Sequence, residues 1–464
     1  MSAQRLTIIG GGPGGYVAAI RAAQLGLPVT LIERDKLGGV CLNWGCIPTK
    51  SLLRNAEVAR LLGEGRKFGF SVTEVTLDYS VAVKRSRKVS ARLVKGVDLL
   101  LRKNGVKVIR GEGRLITPHT VAVTLNEGGH RTVESEAIIL ATGSRARAIP
   151  GVTVDGERVL TAREALERRT LPVSAIIIGA GPIGLEFATI WSSYGTDVTV
   201  VEMQEQILPT EDAEAAQQLA RALRRQRIKT HTSTRVESVT SDTDRVHVQV
   251  SGPRGAKTLH AELALIATGV RPNSEELGLT AAGVATNHGW VTVDEFMRTN
   301  VLSIYAIGDL NGVLPLAHVA SAQGILAVEQ LAGQQPAPFN VNAIPRGTYT
   351  SPQVASFGLN AAQAREQGLA VAVGSYSFMA NGKALGLDEN QGFVKIVAEQ
   401  ESQQLLGAVI VGPEATELLP ELVLAQHAGL TPTDIARAVH AHPTLNEVTM
   451  EAAHNVFGKA IHSV

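Results

Sequence analysis

The chain has 464 residues, and its 44 Lys and Arg residues balance 43 Asp and Glu residues, so its formal charge is +1 at pH 7. This length predicts about three domains, and the balanced charge argues against nucleic-acid or anionic-membrane binding. No apolar run reaches the roughly 18 residues of a membrane span. The first strand-like run begins at Leu6, which leaves no room for a signal peptide, so we expect a cytoplasmic protein.

The first predicted unit is a strand, a glycine-rich turn and a helix. The apolar strand Leu6–Ile9 leads into an Ala-rich helix that ends near Leu25, and the next strand ends in Glu33. The glycines of the turn are Gly10, Gly12, Gly14 and Gly15. In a G-x-G-x-x-G turn, glycines permit a tight bend, close approach of a pyrophosphate and close helix packing. The phosphates lie at the helix N-terminus, and the acidic residue binds a ribose.

The same arrangement recurs in the middle of the chain. A strand at 175–178 precedes glycines Gly179, Gly181 and Gly184, and a later strand ends in Glu202. The spacing from last glycine to acid is 18 residues in both copies (33 minus 15, and 202 minus 184). One such motif is weak evidence, but two complete copies predict two dinucleotide-binding domains. Because a carboxylate would repel a 2′-phosphate, Glu202 favours NAD over NADP.

Two cofactors follow from two domains, and the simplest pair is a nicotinamide and FAD. An Ala-Thr-Gly turn follows a buried-strand pattern at 141–143 and again at 267–269, and we expect each to close its domain against the cofactor. Another strand runs from Ile304 into Gly308-Asp309. Taken alone, this last turn is equally compatible with a plain turn and with a cofactor contact.

The only cysteines are Cys41 and Cys46. On a regular helix their axial separation alone would be ~7.5 Å, whereas disulfides need Cα atoms within about 6.8 Å. A bridge therefore requires a distorted turn, and Asn43 and Gly45 tolerate distortion. Pro48 suits the first turn of a following helix. The thiols alone leave two interpretations open, a reactive pair and two reduced, buried cysteines. No metal site is expected.

Residues 38–50, with the sequence GGVCLNWGCIPTK, closely resemble the redox-active disulfide motif of the pyridine nucleotide–disulfide oxidoreductases. The continuation to Leu53 and the run His440–Glu447 resemble the dihydrolipoamide-oxidising members of that family. The resemblance covers essentially the whole chain. It implies an α/β fold of two Rossmann-like dinucleotide-binding domains plus a C-terminal α+β dimerisation domain. The expected segments are an FAD-binding domain (1–147), an NAD-binding domain (148–272), a central segment completing the FAD site (273–344) and a dimerisation domain (345–464).

The resemblance also implies roles for the site residues. Cys41 would exchange with the substrate sulfur, and Cys46 would form the thiolate that faces the flavin. His442 would be the acid–base, oriented by Glu447, and would serve the disulfide of the other subunit of an obligate homodimer. A cis His442-Pro443 bond is implied as well. Lys50 would lie near the flavin and pair with Glu186. The other expected FAD contacts are Glu33, Gly113, Thr142, Gly143, Ser144, Asp309 and Ala317, and the other expected NAD contacts are Glu202, Val236 and Gly269.

The implied activity is oxidation of protein-bound dihydrolipoamide to lipoamide with reduction of NAD, through a Cys41–Cys46 disulfide and FAD. Expected partners are the lipoyl domains of a 2-oxo acid dehydrogenase or glycine-cleavage complex. Glutathione reductase is disfavoured by Glu202, mercuric reductase by the absence of a C-terminal cysteine pair, and NADH oxidases and peroxidases by the presence of two redox cysteines. A non-catalytic subunit with a purely structural FAD is the remaining alternative.

Three features depart from the family or carry no assigned role. Val40 and Trp44 flank the cysteines where other residues are usual, and Trp44 is either a core aromatic or a residue that alters access to the disulfide. The run 319–324 lacks the acidic residues that usually follow His318. A helix is predicted near 80–104, and we expect its basic face to be solvated.

Overall fold

A computed structural model describes residues 5–462. Its strands are β1 (Leu6–Ile9), β2 (Val29–Glu33), β3 (Lys107–Thr117), β4 (Thr120–Leu125), β5 (His130–Glu134), β6 (Ala137–Leu140), β7 (Ser144–Ala146), β8 (Val159–Leu160), β9 (Ser174–Ile178), β10 (Asp197–Val201), β11 (Lys229–His231), β12 (Arg235–Ser241), β13 (Val246–Gly252), β14 (Gly255–Ala261), β15 (Leu263–Ile266), β16 (Val270–Pro272), β17 (Thr286–Asn287), β18 (Trp290–Val291), β19 (Ile304–Ala306), β20 (Arg346–Thr348), β21 (Gln353–Gly358), β22 (Val371–Ser377), β23 (Phe393–Glu399) and β24 (Leu405–Gly412).

Its α-helices are α1 (Pro13–Gln24), α2 (Gly39–Trp44), α3 (Cys46–Gly63), α4 (Tyr79–Lys103), α5 (Ala162–Glu167), α6 (Pro182–Ser193), α7 (Ala213–Arg225), α8 (Ala317–Leu331), α9 (Ala361–Glu366), α10 (Gly382–Leu387), α11 (Ala415–His427), α12 (Pro432–Arg437) and α13 (Glu447–Asn455). Within the described range, no helix is both long enough and apolar enough to cross a membrane. Helix α4 confirms the predicted helix near 80–104.

The first of two compact units contains the chain through Leu52 and residues 80–147 and 269–340. Its seven-stranded sheet has the order β19-β6-β1-β2-β3-β4-β5. The pairs from β19 to β3 are parallel, and β3, β4 and β5 form an antiparallel meander. Ile8 and Ile9 are fully buried in two different core clusters, so the parallel part of the sheet is covered on both faces.

The second unit contains residues 53–79 and 148–268 and the chain from 341 onward. Within 148–268, a five-stranded parallel sheet has the order β11-β10-β9-β15-β8, and β12, β13 and β14 form a separate antiparallel sheet. The C-terminal part is an antiparallel sheet of order β20-β21-β24-β23-β22. Phe357, Ile410 and Leu422 lie in the core between this sheet and helices α11 and α13. This arrangement is the α+β architecture expected for the C-terminal segment.

Candidate functional site: a cysteine pair and two nucleotide cradles

The helix that carries the cysteines is interrupted between them. Helix α2 ends at Trp44, Gly45 adopts φ −143° and ψ −117°, and α3 begins at Cys46. The hydroxyl of Thr49 donates to the Gly45 carbonyl over 2.7 Å, which anchors the first turn of α3 to the interruption. Because of this break, the two half-buried thiols come within hydrogen-bonding distance of each other.

The hydrogen bond between the two thiols raises the pKa of Cys41, and burial raises it further. The nearby charge of Lys50 and a backbone hydrogen bond from Cys46 oppose this rise. Two interacting thiols lose their protons in separate steps, and the first step leaves one negative charge shared across the hydrogen bond. Cys46 lies at the N-terminus of α3, where a negative charge is stabilised.

Side chains from inside the motif and from helix α4 hold this turn in place. The amide of Asn43 donates to the carbonyls of Leu37 at 3.0 Å and Gly39 at 2.9 Å. The guanidinium of Arg87 donates to the Asn43 carbonyl, and that of Arg85 donates to the Ser51 hydroxyl at 2.8 Å. The expectation of a wholly solvated basic face on α4 is therefore wrong. Local periodicity marks α4 as a helix but does not show which basic side chains meet the redox segment.

Trp44 is a core aromatic, which resolves the alternative that the sequence left open. Its side chain is 6% exposed, and the Lys36 ammonium lies 5.0 Å from the centroid of its ring. Val40, in contrast, is 54% exposed beside Cys41. Of these two unusual residues, Val40 is therefore the one that meets solvent next to the thiols.

The first glycine-rich turn has the geometry of a phosphate cradle. Gly10 has φ +108°, and a Cβ atom there would lie 2.2 Å from the Ala141 carbonyl oxygen. A Cβ atom on Gly15 would lie 1.8 Å from the Gly10 oxygen. At Gly12, in contrast, the nearest atom to an added Cβ is the Gly39 Cα at 3.9 Å. The backbone is thus tightly packed at the first and last glycine and open at the middle one, as the approach of a pyrophosphate requires.

The acidic residue of this unit is oriented by backbone amides. Glu33 ends β2 and is 7% exposed. Its two oxygens accept from the N–H groups of Gly11 at 2.6 Å and Asp35 at 2.7 Å. The carboxylate is thereby held against the turn, where the diol of an adenosine ribose would meet it. Gly113 lies on β3, and a Cβ atom there would be 3.1 Å from the Ile9 side chain. Any residue larger than glycine would therefore crowd Ile9 at this position.

The second turn repeats this geometry. Gly179 also has φ +108°, with an added Cβ 2.3 Å from the Ala267 oxygen, and a Cβ on Gly184 would lie 2.1 Å from the Gly179 oxygen. Nothing lies within 4 Å of a Cβ placed on Gly181. Glu202 accepts from the N–H groups of Ala180 at 2.7 Å and Gln204 at 2.9 Å. Val236, on β12, is half-buried against the core of this domain.

Several predicted FAD contacts follow strands β6 and β19 and take part in hydrogen bonds. The Ser144 hydroxyl donates to the Asp309 carboxylate over 2.6 Å. Burial raises the pKa of Asp309, and the Ser144 hydrogen bond partly offsets this effect. The Thr142 hydroxyl donates to the Asn273 carbonyl, and the Asn273 amide donates back to the Thr142 carbonyl, both at 2.9 Å. Gly143 adopts φ +70°, and Ala317 is the first residue of α8. Gly269, a predicted NAD contact, adopts φ +99°.

Gln323 is a residue that the sequence did not single out. It is fully buried, and its carbonyl accepts from the Gly308 N–H at 2.7 Å and from the Asn311 amide at 3.0 Å. It thereby holds the backbone next to Asp309. The only signal in the sequence was that the run 319–324 departs from the acidic pattern of the family.

The C-terminal segment brings His442 and Glu447 together. His442 Nδ1 lies 2.8 Å from Glu447 Oε1, while the second carboxylate oxygen accepts from the Thr444 N–H at 2.9 Å. Although burial opposes it, these hydrogen bonds lower the pKa of Glu447. The carboxylate orients the imidazole so that Nε2 is available for proton transfer. The His442 ring is 79% exposed, and the His442-Pro443 bond is cis, as the resemblance implied.

Glu186 is the residue that the resemblance pairs with Lys50. It is 4% exposed on α6, and its carboxylate accepts from the Tyr349 N–H at 3.0 Å. Its pairing with Lys50 stays a prediction.

Among residues 5–462, no group of three or more His, Cys, Asp or Glu side chains is arranged to hold a metal ion.

Known proteins of one family match this chain over nearly its full length. The sequence model of the pyridine nucleotide-disulphide oxidoreductases matches residues 4–324, and that of their dimerisation domain matches residues 344–453. Dihydrolipoyl dehydrogenases from Mycobacterium tuberculosis and Bacillus subtilis are 46% and 41% identical, and each alignment covers 98% of both chains. The crystal structure of LpdA from M. tuberculosis is 30% identical with a TM-score of 0.92, and covers 97% of this chain and 99% of its own.

Proposed function

The chain belongs to the pyridine nucleotide–disulphide oxidoreductase family, and on that premise we propose that it oxidises protein-bound dihydrolipoamide to lipoamide. It is a flavoprotein disulfide oxidoreductase that uses FAD and NAD, and its match to the dimerisation domain supports a homodimer. The observation that carries the proposal is the cysteine pair, whose thiols meet across the break at Gly45. The names of the relatives favour dihydrolipoamide as the dithiol.

The first chemical step proposed is a thiol–disulfide exchange. His442 of the partner subunit, held at Nδ1 by its Glu447, accepts a proton at Nε2 from one substrate thiol. The resulting thiolate attacks the Cys41 sulfur, the Cys41–Cys46 bond breaks, and Cys46 leaves as a thiolate. The second substrate thiol then attacks its neighbouring sulfur, the ring of lipoamide closes, and Cys41 leaves with a proton. The substrate loses two electrons, and the cysteine pair gains them.

Cys46 suits the role of the thiolate, since it is the first residue of the 18-residue helix α3. Cys41 suits the exchange with substrate, since it stands next to the exposed Val40. FAD, when bound, accepts the electron pair from the reduced cysteines and passes it as a hydride to NAD.

The residues of the first cradle fit FAD, and those of the second fit NAD. We assign Glu33 to the adenosine ribose of FAD and Asp309 to its ribityl chain, and Glu202 to the NAD ribose. The remaining FAD contacts are assigned to Gly10, Gly12, Gly14, Gly15, Lys50, Gly113, Thr142, Gly143, Ser144 and Ala317. The remaining NAD contacts are assigned to Gly179, Gly181, Gly184, Glu186, Val236 and Gly269. The domain boundaries given above, the cytoplasmic setting and the 2-oxo acid dehydrogenase or glycine-cleavage partners are parts of the same proposal.

The test is an anaerobic titration of the FAD-loaded protein with dihydrolipoamide, followed by NAD, while the visible spectrum is recorded. We expect a long-wavelength band at two electrons per flavin and then NADH. In Cys41→Ser and His442→Gln, dihydrolipoamide oxidation is expected to fall at least about 100-fold, while reduction of the flavin by NADH persists. Flavin that NADH reduces but dihydrolipoamide does not would contradict the substrate and retain the family.

A further inference from the structure

A second histidine, His440, lies two residues before His442 and is held at both ring nitrogens. Its Nδ1 is 2.9 Å from the Ala438 carbonyl oxygen, and its Nε2 is 3.0 Å from Glu421 Oε1. Its side chain is 6% exposed. Both ring nitrogens of His440 thus face oxygen atoms of the protein, a backbone carbonyl and a carboxylate. The ring therefore presents neither nitrogen to a substrate.

Glu421 joins the two flanks of the segment that carries His442. It lies on the 13-residue helix α11. One of its oxygens accepts from His440, and the other accepts from the side-chain amide of Asn446. Asn446 directly precedes Glu447, the first residue of α13. A single carboxylate on α11 thus holds the chain both before and after residues 441–445.

Within this segment, the Thr444 hydroxyl donates to the Ala441 carbonyl over 2.7 Å, and the Asn381 amide donates to the Thr444 carbonyl over 2.9 Å. His442 is 79% exposed and is oriented by Glu447, which is the far end of the same segment. If residues 440 and 446 moved independently, the distance from Nδ1 to the carboxylate would change with them. The charge of His440 also contributes to lowering the pKa of Glu447, after the larger effects of burial and of the Thr444 and His442 hydrogen bonds. A lower pKa keeps Glu447 ionised as the partner of His442.

We infer that Glu421, His440 and Asn446 form a frame that positions the His442–Glu447 pair for proton transfer. His440 and Glu421 are positioning residues in this scheme, since neither acts on the substrate directly. The inference rests on the proposed acid–base role of His442. It predicts that damage to the frame slows the reaction with the dithiol and leaves the exchange of electrons between NADH and flavin intact.

The experiment compares two activities of the FAD-loaded dimer. Dihydrolipoamide oxidation with NAD requires His442, whereas NADH oxidation with ferricyanide bypasses the dithiol and the cysteines. In His440→Asn we expect kcat for dihydrolipoamide to fall about 30-fold, since small misplacements of catalytic groups cost up to about 100-fold. The KM for NAD and the ferricyanide rate should stay within about twofold of the parent values.

Variants of Glu421 provide an internal check. Glu421→Gln keeps an acceptor oxygen for the ring, so its loss should be smaller than that of Glu421→Ala. The double variant His440→Asn/Glu421→Ala should be no slower than either single variant, because residues of one network are not additive. His247→Asn is the matched control, since His247 pairs with Asp242 at 2.7 Å on the antiparallel sheet of β12, β13 and β14. It should leave both activities unchanged.

Each outcome decides between alternatives. If His440→Asn retains the full dihydrolipoamide rate while His442→Gln loses it, the frame is refuted and the proposed function stands. If both variants retain the rate, His442 is not the acid–base, and the inference is overturned together with that part of the proposed function. His440→Asn could instead lose both activities together with FAD or the dimer, which would indicate that the cluster stabilises the fold. In that case Glu421→Gln decides, and the same loss of both activities in it would overturn the inference. A selective loss in Glu421→Gln, with FAD retained, would support it.

Discussion

The glycine-rich turns at 10–15 and 179–184 have the same backbone geometry but different surroundings at one position. Gly14 and Ile183 occupy equivalent places, one residue before the last glycine of each motif. An added Cβ on Gly14 would lie 3.0 Å from the Ala320 carbonyl oxygen on α8, and one on Gly324 would lie 2.7 Å from the Gly14 oxygen. Ile183, in contrast, is 42% exposed.

This single difference separates a covered cradle from an open one. Glycines at 14 and 324 let α8 pack directly on the first turn of α1, so that one side of this helix end is covered. The first turn of α6 presents the exposed Ile183 instead. An enclosed cradle suits a cofactor that stays bound, as FAD does, and an open one suits NAD, which must exchange in every cycle. On this interpretation, the glycine motif selects a dinucleotide, and the packing of α8 influences how long that dinucleotide stays bound.

The largest effect is expected from exchanging these two residues. Gly14→Ile should push α8 away from α1, because the nearest obstacle is backbone and cannot rotate aside. Overpacking of this kind costs about 1–3 kcal/mol, so FAD affinity should fall up to about 100-fold. Flavin fluorescence after dialysis measures this loss. Ile183→Gly is the matched control and should leave FAD content unchanged. Equal FAD retention in both variants would refute the enclosure argument.

Truncation of Glu33 and Glu202, the two acids that we propose bind ribose, should give intermediate effects, each on a different cofactor. Glu202→Ala removes a charged acceptor from the open cradle, and we expect the KM for NAD to rise about tenfold, with FAD content unchanged. Glu33→Ala should weaken FAD binding by a similar factor and leave the KM for NAD of the loaded enzyme unchanged. Steady-state kinetics with added FAD distinguishes the two. A change in both parameters in either variant would contradict the assignment of one acid to each cofactor.

The smallest effect concerns Asp309, which has no counterpart in the open cradle. Burial raises its pKa in the folded chain. The stability it contributes to the apoprotein is therefore complete below its ordinary pKa, about 3.9, and is lost as the pH rises through the folded value. Asp309→Asn should raise the Tm of the apoprotein by about 2 °C at pH 7, and by less near pH 4. Thermal unfolding at both pH values checks this, and a shift independent of pH would exclude ionisation as its cause.

Much of this architecture is determined by local sequence. Two copies of strand, glycine turn, helix and acid predict two dinucleotide domains, because their φ angles and close approaches are available only to glycine. The break between Cys41 and Cys46 is likewise predicted from helix geometry and from Gly45. Glu447 at five residues from His442 becomes a meaningful pair only through resemblance to the family, since spacing alone does not show that the chain turns back at Thr444.

Tertiary structure decides the contacts that connect distant segments. Arg87 reaches the Asn43 carbonyl across 44 positions of sequence, and the Glu421 carboxylate meets Asn446 across 25. Periodicity assigns such residues to a helix but does not reveal the backbone groups that they meet. For the same reason, the sequence predicts that both turns bind dinucleotides, while only the packing of α8 on Gly14 distinguishes the first turn from the second. Local conformation follows from neighbouring residues, whereas enclosure depends on which helix lies against which, and that is a property of the folded chain.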